Sequence, residues 1–507
     1  LGAQSEGGAI YFENEATAAV IINNTLFRKN SAIDANVFYL AKKLNSVLIT
    51  NCTITTNGNT GSSIKTICPQ LLIEKSSIGY DRYDLKGRGI HIASTCNFTV
   101  FSTTFSNCYA NESLSEGGGI LYDPVEADLE EHLIIEGCTF TNCRGSDGCA
   151  CYIKATSENI TFHGNTIEES RSGKPTFTLD LPSTVTDFEI SNCIFQNNLC
   201  NSVDNDGGGS GLVLTFGGSE DSKAKFTSCK FISNKASSSG GAFAYGITKD
   251  TKKIQIEFNQ CYFSQNSAKG IEGGALYIAT DVHSLIDSCT FVSNKANGSG
   301  AKGGAVTIHS TSDVELSNIT FESNTAIDGH AIHVFDSCHS VTINGSTIRN
   351  NGLSKSAILI DKSSEAINQF EFNFNNNTVS YDQETKAARG LHIAARIKCT
   401  LFESNFIGCR GQSEDGGGVL YNPTDALQGN QTEMVVDGCL FEKCQGKNGQ
   451  AMMLDALYTP IQLRNTIVRN HSVMYVMAIY YHANAPDNME THISGCIFEN
   501  NMLTGAS

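Results

Sequence analysis

The chain has 507 residues, of which 52 are Asp or Glu and 35 are Lys or Arg, so its formal net charge is −17 at neutral pH. A chain this acidic argues against nucleic acid or an anionic membrane as its partner. Its 19 cysteines are many for a reduced cytosol, and the absence of Trp removes the usual side chain for stacking on sugars. No stretch of about 18 apolar residues occurs, so we expect no membrane span in this chain.

Two short motifs recur along the chain. One is a Gly-Gly pair before a small and an apolar residue, as at Gly7, Gly118, Gly240, Gly273 and Gly303. The other is Phe-x-x-Asn, which begins at Phe27, Phe195, Phe231, Phe263, Phe291, Phe321 and Phe498. Elsewhere Ile or Val takes the place of Phe. Counted together, the motifs define about sixteen units that average roughly 31 residues.

Each unit has the composition of a coil of short strands. Runs such as ALYIA and AVTIH are rich in residues that favour strands, and Gly, Asn, Ser and Asp separate them. No sustained apolar stripe has helical spacing. A unit this short must stack on its neighbours to bury an apolar face. We therefore predict an all-β fold, a single right-handed parallel β-helix, with Phe in an inward ladder and Asn amides hydrogen-bonded along the stack.

A longer repeat contains the shorter one. Residues 5–40 return as 301–334, 87–108 as 388–409, 116–124 as 415–423 and 188–198 as 491–501. The offset is about 300 residues, or ten units. We predict a first copy over residues 1–300 and an incomplete second copy over residues 301–507. Because both ends fall within the repeat pattern, we expect the chain to be part of a longer protein.

The alternating GGA-aliphatic and FxxN motifs resemble the repeats of the polymorphic membrane protein family. The resemblance covers nearly the whole chain, but no terminal membrane barrel follows the repeats. It implies a secreted or surface-anchored right-handed β-helix with an adhesive role. The predicted localisation is therefore extracellular or at the cell surface.

The cysteines fall into sets. In two units of each copy Cys replaces the Asn of Phe-x-x-Asn, at Cys108 and Cys143 and again at Cys409 and Cys444. Because equivalent positions on adjacent coils lie within disulfide reach, we predict the bridges Cys108–Cys143 and Cys409–Cys444. A second set lies two residues before Phe, at Cys193, Cys229, Cys261 and Cys289. These could pair or pack as free buried thiols.

Eleven Asn-x-Ser/Thr sequons are candidate glycosylation sites, although turn residues alone would produce some of them. They begin at Asn23, Asn51, Asn97, Asn111, Asn159, Asn297, Asn318, Asn344, Asn376, Asn430 and Asn470.

Enzymatic and metal sites are less well supported. Cys149-Ala150-Cys151 has the counterpart Gln450-Ala451-Met452 in the second copy, and no Cys-x-x-Cys pair with a zinc partner occurs. Residues 204–207 resemble half a calcium loop, but no acidic ligand follows at the far end of the expected window. Residues 396–398 match a polygalacturonase triplet in letters alone, and His91 and His392 are expected to pack structurally. We predict no catalytic, cofactor or metal residues.

Three functions remain open. The first is adhesion or surface interaction with a cell-surface or matrix protein or glycan. The second is a structural subunit that self-associates into an extracellular filament or coat. A carbohydrate-active enzyme is the third and rests on fold analogy. The widest insertions, at residues 109–115, 123–132, 170–187 and 422–432, are candidate partner-binding loops.

Overall fold

The computed structural model describes most of the chain. The described residues are 8–12, 18–40, 44–56, 61–81, 87–110, 116–124, 132–154, 160–173, 175–181, 187–201, 212–216, 223–245, 254–270, 272–279, 282–362, 370–383, 387–411, 415–423, 433–455, 459–473, 478–482 and 491–503. The chain divides into two compact units. The N-terminal unit comprises Leu1–Ser238 and Ala242–Ile254, and the C-terminal unit comprises Ser239–Gly241 and Gln255–Ser507.

Each unit is a parallel β-solenoid, and no helix occurs in the described ranges. Within each unit every coil contributes one strand to each of three sheets, and strands of successive coils pair in parallel. The all-β, parallel solenoid class predicted from the repeats is therefore confirmed. Along the described chain the strands of the first sheet recur 17 times. The number of coils thus differs slightly from the sixteen predicted.

The first sheet follows the glycine corners. In the N-terminal unit its strands are Ile10–Tyr11, Ala35–Leu40, Ser62–Thr66, Arg88–Ile92, Ile120–Tyr122, Cys151–Lys154, Phe177–Leu181, Leu212–Phe216 and Phe243–Tyr245. In the C-terminal unit they are Leu276–Ala279, Val306–His309, Ile332–Phe335, Ser356–Asp361, Arg389–Ile393, Val419–Tyr421, Met452–Asp455 and Ile479–His482.

The second sheet comes next in each coil. Its strands are Ala19–Asn23, Ser46–Thr50, Gln70–Glu74, Asn97–Phe101, Leu133–Glu136, Ile160–His163, Asp187–Ser191 and Lys223–Thr227 in the N-terminal unit. The strand Ile254–Asn259 begins at the last residue of the N-terminal unit. The strands of the C-terminal unit are Val282–Asp287, Asp313–Ser317, Ser340–Asn344, Glu371–Asn375, Lys398–Phe402, Met434–Asp437, Ile461–Arg464 and Thr491–Ser494.

The third sheet carries the Phe of the second motif. Its N-terminal strands are Leu26–Arg28, Thr53–Thr56, Ser77–Tyr80, Thr104–Ser106, Thr139–Thr141, Thr166–Glu168, Ile194–Gln196 and Lys230–Ile232. Its C-terminal strands are Tyr262–Ser264, Thr290–Val292, Thr320–Glu322, Thr347–Arg349, Thr378–Ser380, Asn405–Ile407, Leu440–Glu442, Ile467–Arg469 and Ile497–Glu499.

Two-residue strands complete several coils. They are Arg144–Gly145, Arg171–Ser172, Leu199–Cys200, Lys235–Ala236, Ser267–Ala268, Lys295–Ala296, Ser472–Val473 and Met502–Leu503.

The interior of each unit contains ladders of stacked aromatic rings. In the C-terminal unit the Phe263 and Phe291 ring centroids lie 4.6 Å apart, and those of Phe291 and Phe321 lie 5.1 Å apart. In the N-terminal unit Phe105 stacks on Phe140 at 4.8 Å with the ring planes 5° apart. Such stacking contributes about 0.5–1.5 kcal/mol per pair beyond the burial of apolar area. The predicted inward Phe ladder is confirmed.

The Asn of the second motif forms a buried amide ladder. Asn266, Asn294, Asn324 and Asn351 are fully buried in successive coils, and each side-chain amide donates to the next Oδ1 at 2.9–3.0 Å. That Oδ1 also accepts the backbone N–H of the preceding Asn, at 3.0 Å from Asn266 to Asn294. The ladder therefore satisfies polar groups that the corner buries, as the sequence predicted.

The glycine corner requires the absence of a side chain. A Cβ at Gly274 would lie 2.0 Å from the carbonyl oxygen of Gly304 on the next coil. No larger residue fits without moving the backbone of a neighbouring coil, so close approach between coils explains the Gly-Gly motif.

The two sequence copies share one internal frame. Strand Arg88–Ile92 and its counterpart Arg389–Ile393 have the same pattern of buried and half-buried positions. Both arginines are buried, and each Nε donates to a carbonyl of the glycine corner on the following coil, Arg88 to Glu116 at 2.8 Å and Arg389 to Gly416 at 2.9 Å. The division into copies at residue 300 is a property of the sequence repeat and stays a prediction.

Candidate functional site

Four carboxylates of the N-terminal unit lie on or beside three successive strands of the first sheet. We name Glu116, Asp123, Asp147 and Asp180 the acidic cluster. Glu116 and Asp147 pair at adjacent glycine corners, and Lys154 pairs with Asp180 in the strand register. Because the coils stack in register, residues about 30 positions apart in sequence meet on one face.

Polar contacts fix parts of this cluster. The Lys154 ammonium lies 3.3 Å from Asp123 Oδ1, and Thr178 Oγ1 donates to Asp147 Oδ1 at 2.6 Å. Tyr152 is half-buried and pairs in register with Leu121 and Thr178 of the two neighbouring strands. The cluster therefore presents several carboxylates with one ammonium group and one phenol beside them.

The carboxylates act on the titration of the groups around them. Burial, and then the charges of Glu116, Asp180, Asp147 and Asp123, raise the pKa of Tyr152. Burial also raises the pKa of Glu116, and the charges of Asp123 and Asp147 add to this effect. The pKa of Asp180 rises for the same reasons, although Lys154 opposes the shift. The cluster is consequently an acceptor-rich surface that favours a hydroxyl or cationic group.

The first-sheet face of the C-terminal unit has different chemistry. Lys302 forms an ion pair with Asp361, and the fully buried His333 places Nε2 3.8 Å from the same carboxylate. Burial acts to raise the pKa of Asp361, but contacts from His333 and Lys302 outweigh it and lower that pKa. Desolvation by burial lowers the pKa of His333. This face keeps Asp361 ionised beside a neutral imidazole.

The second sequence copy does not repeat the acidic cluster. By the repeat alignment Glu116, Asp123, Asp147, Tyr152 and Lys154 become Asp415, Asn422, Asn448, Met453 and Asp455. The counterpart strands Ile120–Tyr122 and Val419–Tyr421 are nevertheless buried alike. The copies thus preserve the coil while the outward side chains change: two carboxylates become amides, the phenol becomes a thioether and the ammonium group becomes a carboxylate.

The predicted disulfide cysteines occupy equivalent positions on adjacent coils. Phe105 pairs with Phe140, and Phe406 pairs with Phe441, which aligns Cys108 with Cys143 and Cys409 with Cys444. All four are buried free thiols in this structure. A hydrogen bond with Cys143, followed by burial, raises the pKa of Cys108, and burial with a hydrogen bond to Cys444 raises that of Cys409. Each pair is thus in contact, and the disulfides stay predictions.

The second cysteine set has a role that the sequence did not indicate. The backbone N–H of Cys261 donates to Cys289 Sγ at 3.3 Å, and that of Asn165 donates to Cys193 Sγ at 3.4 Å. These thiols, like the ladder asparagines, accept a backbone N–H from the preceding coil. Cys193 and Cys229 also share a hydrogen bond that contributes, after burial, to a raised pKa of Cys193. All four are buried, and their pairing stays an open question.

Most sequons in the described part of the chain are exposed. Asn23, Asn51, Asn97, Asn297, Asn318, Asn344 and Asn376 are exposed, and Asn470 is half-buried. Asn51, Asn318, Asn376 and Asn470 lie at corners in the left-handed conformation, with φ between 52° and 59°. Asn111, Asn159 and Asn430 lie outside the described residues. Glycosylation stays a prediction at all eleven positions.

Other candidates from the sequence are not assembled into a site. Cys149 and Cys151 are buried, and burial raises the pKa of both. Lys398 of the 396–398 triplet is exposed and pairs with Glu371 at 2.8 Å. His91 is half-buried, and burial followed by Arg88 and Lys65 lowers its pKa to about 4. Residues 204–207 and most of the four insertions lie outside the described ranges.

Within those ranges, no group of three or more His, Cys, Asp or Glu residues is arranged to hold a metal ion. The same residues include no helix with the length and apolarity needed to cross a membrane. No protein-family model matches the sequence, and no curated protein matches it.

Proposed function

We propose that this chain is a non-enzymatic extracellular or cell-surface repeat protein that acts in adhesion or surface interaction. The observation that carries the proposal is the contrast between a repeated interior and a varied exterior. The coil frame recurs with the same burial at Arg88–Ile92 and Arg389–Ile393. The outward side chains, by contrast, differ between the copies, which is the pattern of a scaffold that presents distinct surfaces for binding.

Composition and surface chemistry support an extracellular setting. Seven sequon asparagines are exposed in the described residues, where a glycan could be attached without unfolding the coil. The alternating GGA-aliphatic and FxxN motifs resemble the repeats of the polymorphic membrane protein family, and this resemblance supports an adhesive role. The acidic cluster would contribute recognition by accepting hydrogen bonds from hydroxyl or amine groups of a partner.

Binding measurements with matched variants test this function. The fluorescently labelled chain would be titrated onto immobilised matrix proteins and cell-surface glycans, alongside a variant carrying Asp123→Asn, Asp147→Asn and Asp180→Asn. Glu189→Gln, which removes an exposed carboxylate from the second sheet, is the matched control. We expect saturable binding that weakens about tenfold in the triple variant and not in the control. No saturable binding up to about 100 µM would refute the proposal.

A structural subunit of an extracellular filament or coat is the alternative supported by the long repeat. Copies of a ten-coil block lengthen a solenoid without changing its cross-section. Light scattering and electron microscopy of the purified chain distinguish this function. Concentration-dependent fibres would favour it, and a monomer at every concentration would count against it.

A carbohydrate-active enzyme is the weaker alternative, and the acidic cluster is where it can be tested. Hydrolysis of a glycosidic bond uses two carboxyl groups with different protonation states, and this face brings several together. Incubation with plant and animal polysaccharides, followed by a reducing-sugar assay, tests it. Product formation that disappears in Asp180→Asn would establish the enzyme, whereas no product from any substrate would eliminate it.

A further inference from the structure

A cleft lies on the outer surface of the C-terminal unit where three successive coils turn after the third sheet. Its volume is about 360 Å³. Its walls include Ser323, Thr325, Asn350, Leu353, Asp382 and Gln383. This is the lower end of the size range of small-molecule sites, and it suits a ligand of one or two sugar rings. The cleft shares no residue with the acidic cluster.

The cleft exists because the middle coil departs from the regular corner. Gly352 has φ of +67°, and a Cβ there would lie 1.9 Å from the imidazole ring of His330. The chain at Gly352 therefore passes directly over a buried His, and the following Leu353 side chain projects outward with 57% of its surface exposed. That projection forms one wall.

Buried groups behind the cleft hold its shape. Tyr381, only 6% exposed, donates from its hydroxyl to the Asn351 carbonyl at 2.5 Å. Asn351 is in turn a member of the buried amide ladder and donates to the Phe321 carbonyl at 2.9 Å. The corners on either side of the cleft are thus attached to the core by hydrogen bonds. A site supported in this way loses little freedom when it binds a ligand.

The polar walls are preorganised by a reciprocal pair. Asn350 Nδ2 donates to Asp382 Oδ2 at 2.8 Å, and the backbone N–H of Asp382 donates to Asn350 Oδ1 at 3.0 Å. These two bonds fix the orientation of both side chains. A carboxylate accepts several hydrogen bonds and a primary amide donates two, so both groups keep capacity for a ligand.

The composition of the walls selects the chemical class of ligand. Among the described wall residues there is one carboxylate, two amides, two hydroxyls and one exposed aliphatic side chain, with no cation and no aromatic ring. The neighbouring Arg349 is paired with Glu322 at 2.6 Å. A phosphate or sulfate would meet Asp382 without a compensating positive charge. A neutral polyol, by contrast, can donate hydroxyls to Asp382 and Asn350 while its C–H face contacts Leu353.

We propose that this cleft binds a neutral sugar through the Asn350–Asp382 pair. The site goes beyond the surface role proposed above and does not depend on it. In the first sequence copy Lys29 stands at the position of Ser323, and Asp81 at that of Asp382. The added ammonium group makes the first copy a poorer match for the same neutral ligand. The sugar site is therefore expected in the second copy alone.

Saturation-transfer NMR on the whole 507-residue chain tests the site directly. The probes are the methyl glycosides of glucose, galactose, mannose and N-acetylglucosamine, with glucose 6-phosphate as the charged comparison. Affinities for single sugars on the order of 1 mM are within the range of this method. The variants are Asp382→Asn and Asn350→Ala. The control is Asp437→Asn, because Asp437 accepts from Asn465 at 2.9 Å in an Asn–Asp pair on a different corner.

We expect at least one neutral glycoside to give a saturable signal, glucose 6-phosphate to give none, and both cleft variants to weaken binding about tenfold. The Asp437→Asn variant should bind like the unaltered chain. Hydrogen exchange of Asn351 and Tyr381 would confirm that the cleft variants keep the fold. No signal from any glycoside, or equal loss in the Asp437→Asn control, would overturn the proposal. If cell binding persists in Asp382→Asn, the proposed surface role is unaffected. The NMR result alone decides whether the cleft binds a sugar.

Discussion

Replacing Asn294 by Ala is the most informative perturbation of the coil. Asn294 is fully buried in the middle of the amide ladder of the C-terminal unit. Its Oδ1 accepts from both the backbone N–H and the side-chain amide of Asn266 at 3.0 Å. Its own amide donates to the Phe263 carbonyl at 2.9 Å and to Asn324 Oδ1 at 3.0 Å. The substitution therefore removes four buried hydrogen bonds and adds none.

The expected magnitude follows from these four bonds. Each contributes about 1 kcal/mol to the free energy of unfolding, and buried groups left without their acceptor add to the loss. We expect Asn294→Ala to lower the unfolding free energy of its coils by about 4 kcal/mol. This corresponds to exchange of the Asn266 backbone amide that is faster by about three orders of magnitude.

Native-state hydrogen exchange is the suitable assay because it reports stability locally. Asn297→Ala is the control, since Asn297 is exposed on the same coil and its side chain donates to Ser267 Oγ at 2.9 Å. The control should change stability by less than about 0.5 kcal/mol. If exchange at Asn266 were unchanged in Asn294→Ala, the buried ladder would not stabilise the coil, and this reasoning would be wrong.

Three further outcomes are expected. Burial lowers the pKa of His91 to about 4, below its ordinary value of 6.5. The stability that the neutral imidazole provides is therefore complete above pH 6.5 and is lost as the pH falls towards 4. The unfolding midpoints at pH 7 and pH 4.5 should differ less in His91→Gln than in the unaltered chain. Gly274→Ala places a methyl group 2.0 Å from a carbonyl oxygen of the next coil, and it should lower the free energy of unfolding by about 3 kcal/mol in thermal unfolding. The control Gly173→Ala, where the nearest atom to the added Cβ lies at 3.4 Å, should lower it by less than about 1 kcal/mol. Peptide mapping of the chain isolated from its source without reductant should recover Cys108 linked to Cys143, and alkylation of both as free thiols would contradict the predicted bridge.

The repetitive features of the fold could be predicted from the sequence because each coil repeats the same physical problem. A Phe at one position and an Asn three residues later recur often enough to predict both ladders. The two buried arginines could also have been predicted, because they occupy equivalent positions in the two copies. Arg88 and Arg389 each precede a Gly at the start of a first-sheet strand, and comparing the copies would have identified them.

The surface features could not be predicted in the same way. Asp123, Asp147 and Asp180 belong to three coils separated by insertions of different length, so their convergence depends on a register that no motif specifies. The thiols that accept backbone N–H groups share their positions with Ser, Thr and Asn on other coils, as Ser76 and Asn165 illustrate. The cleft depends on one glycine, Gly352, that follows a regular motif and belongs to no Gly-Gly pair.

Labelling of intact source cells is the most direct test of an extracellular surface role. A membrane-impermeant amine-reactive biotin would be applied before lysis, and the captured protein would be analysed for attached glycans. We expect the chain to be labelled on unbroken cells and to carry glycans at exposed sequons such as Asn318 and Asn376. A chain that is labelled only after lysis, with every sequon unmodified, would contradict it.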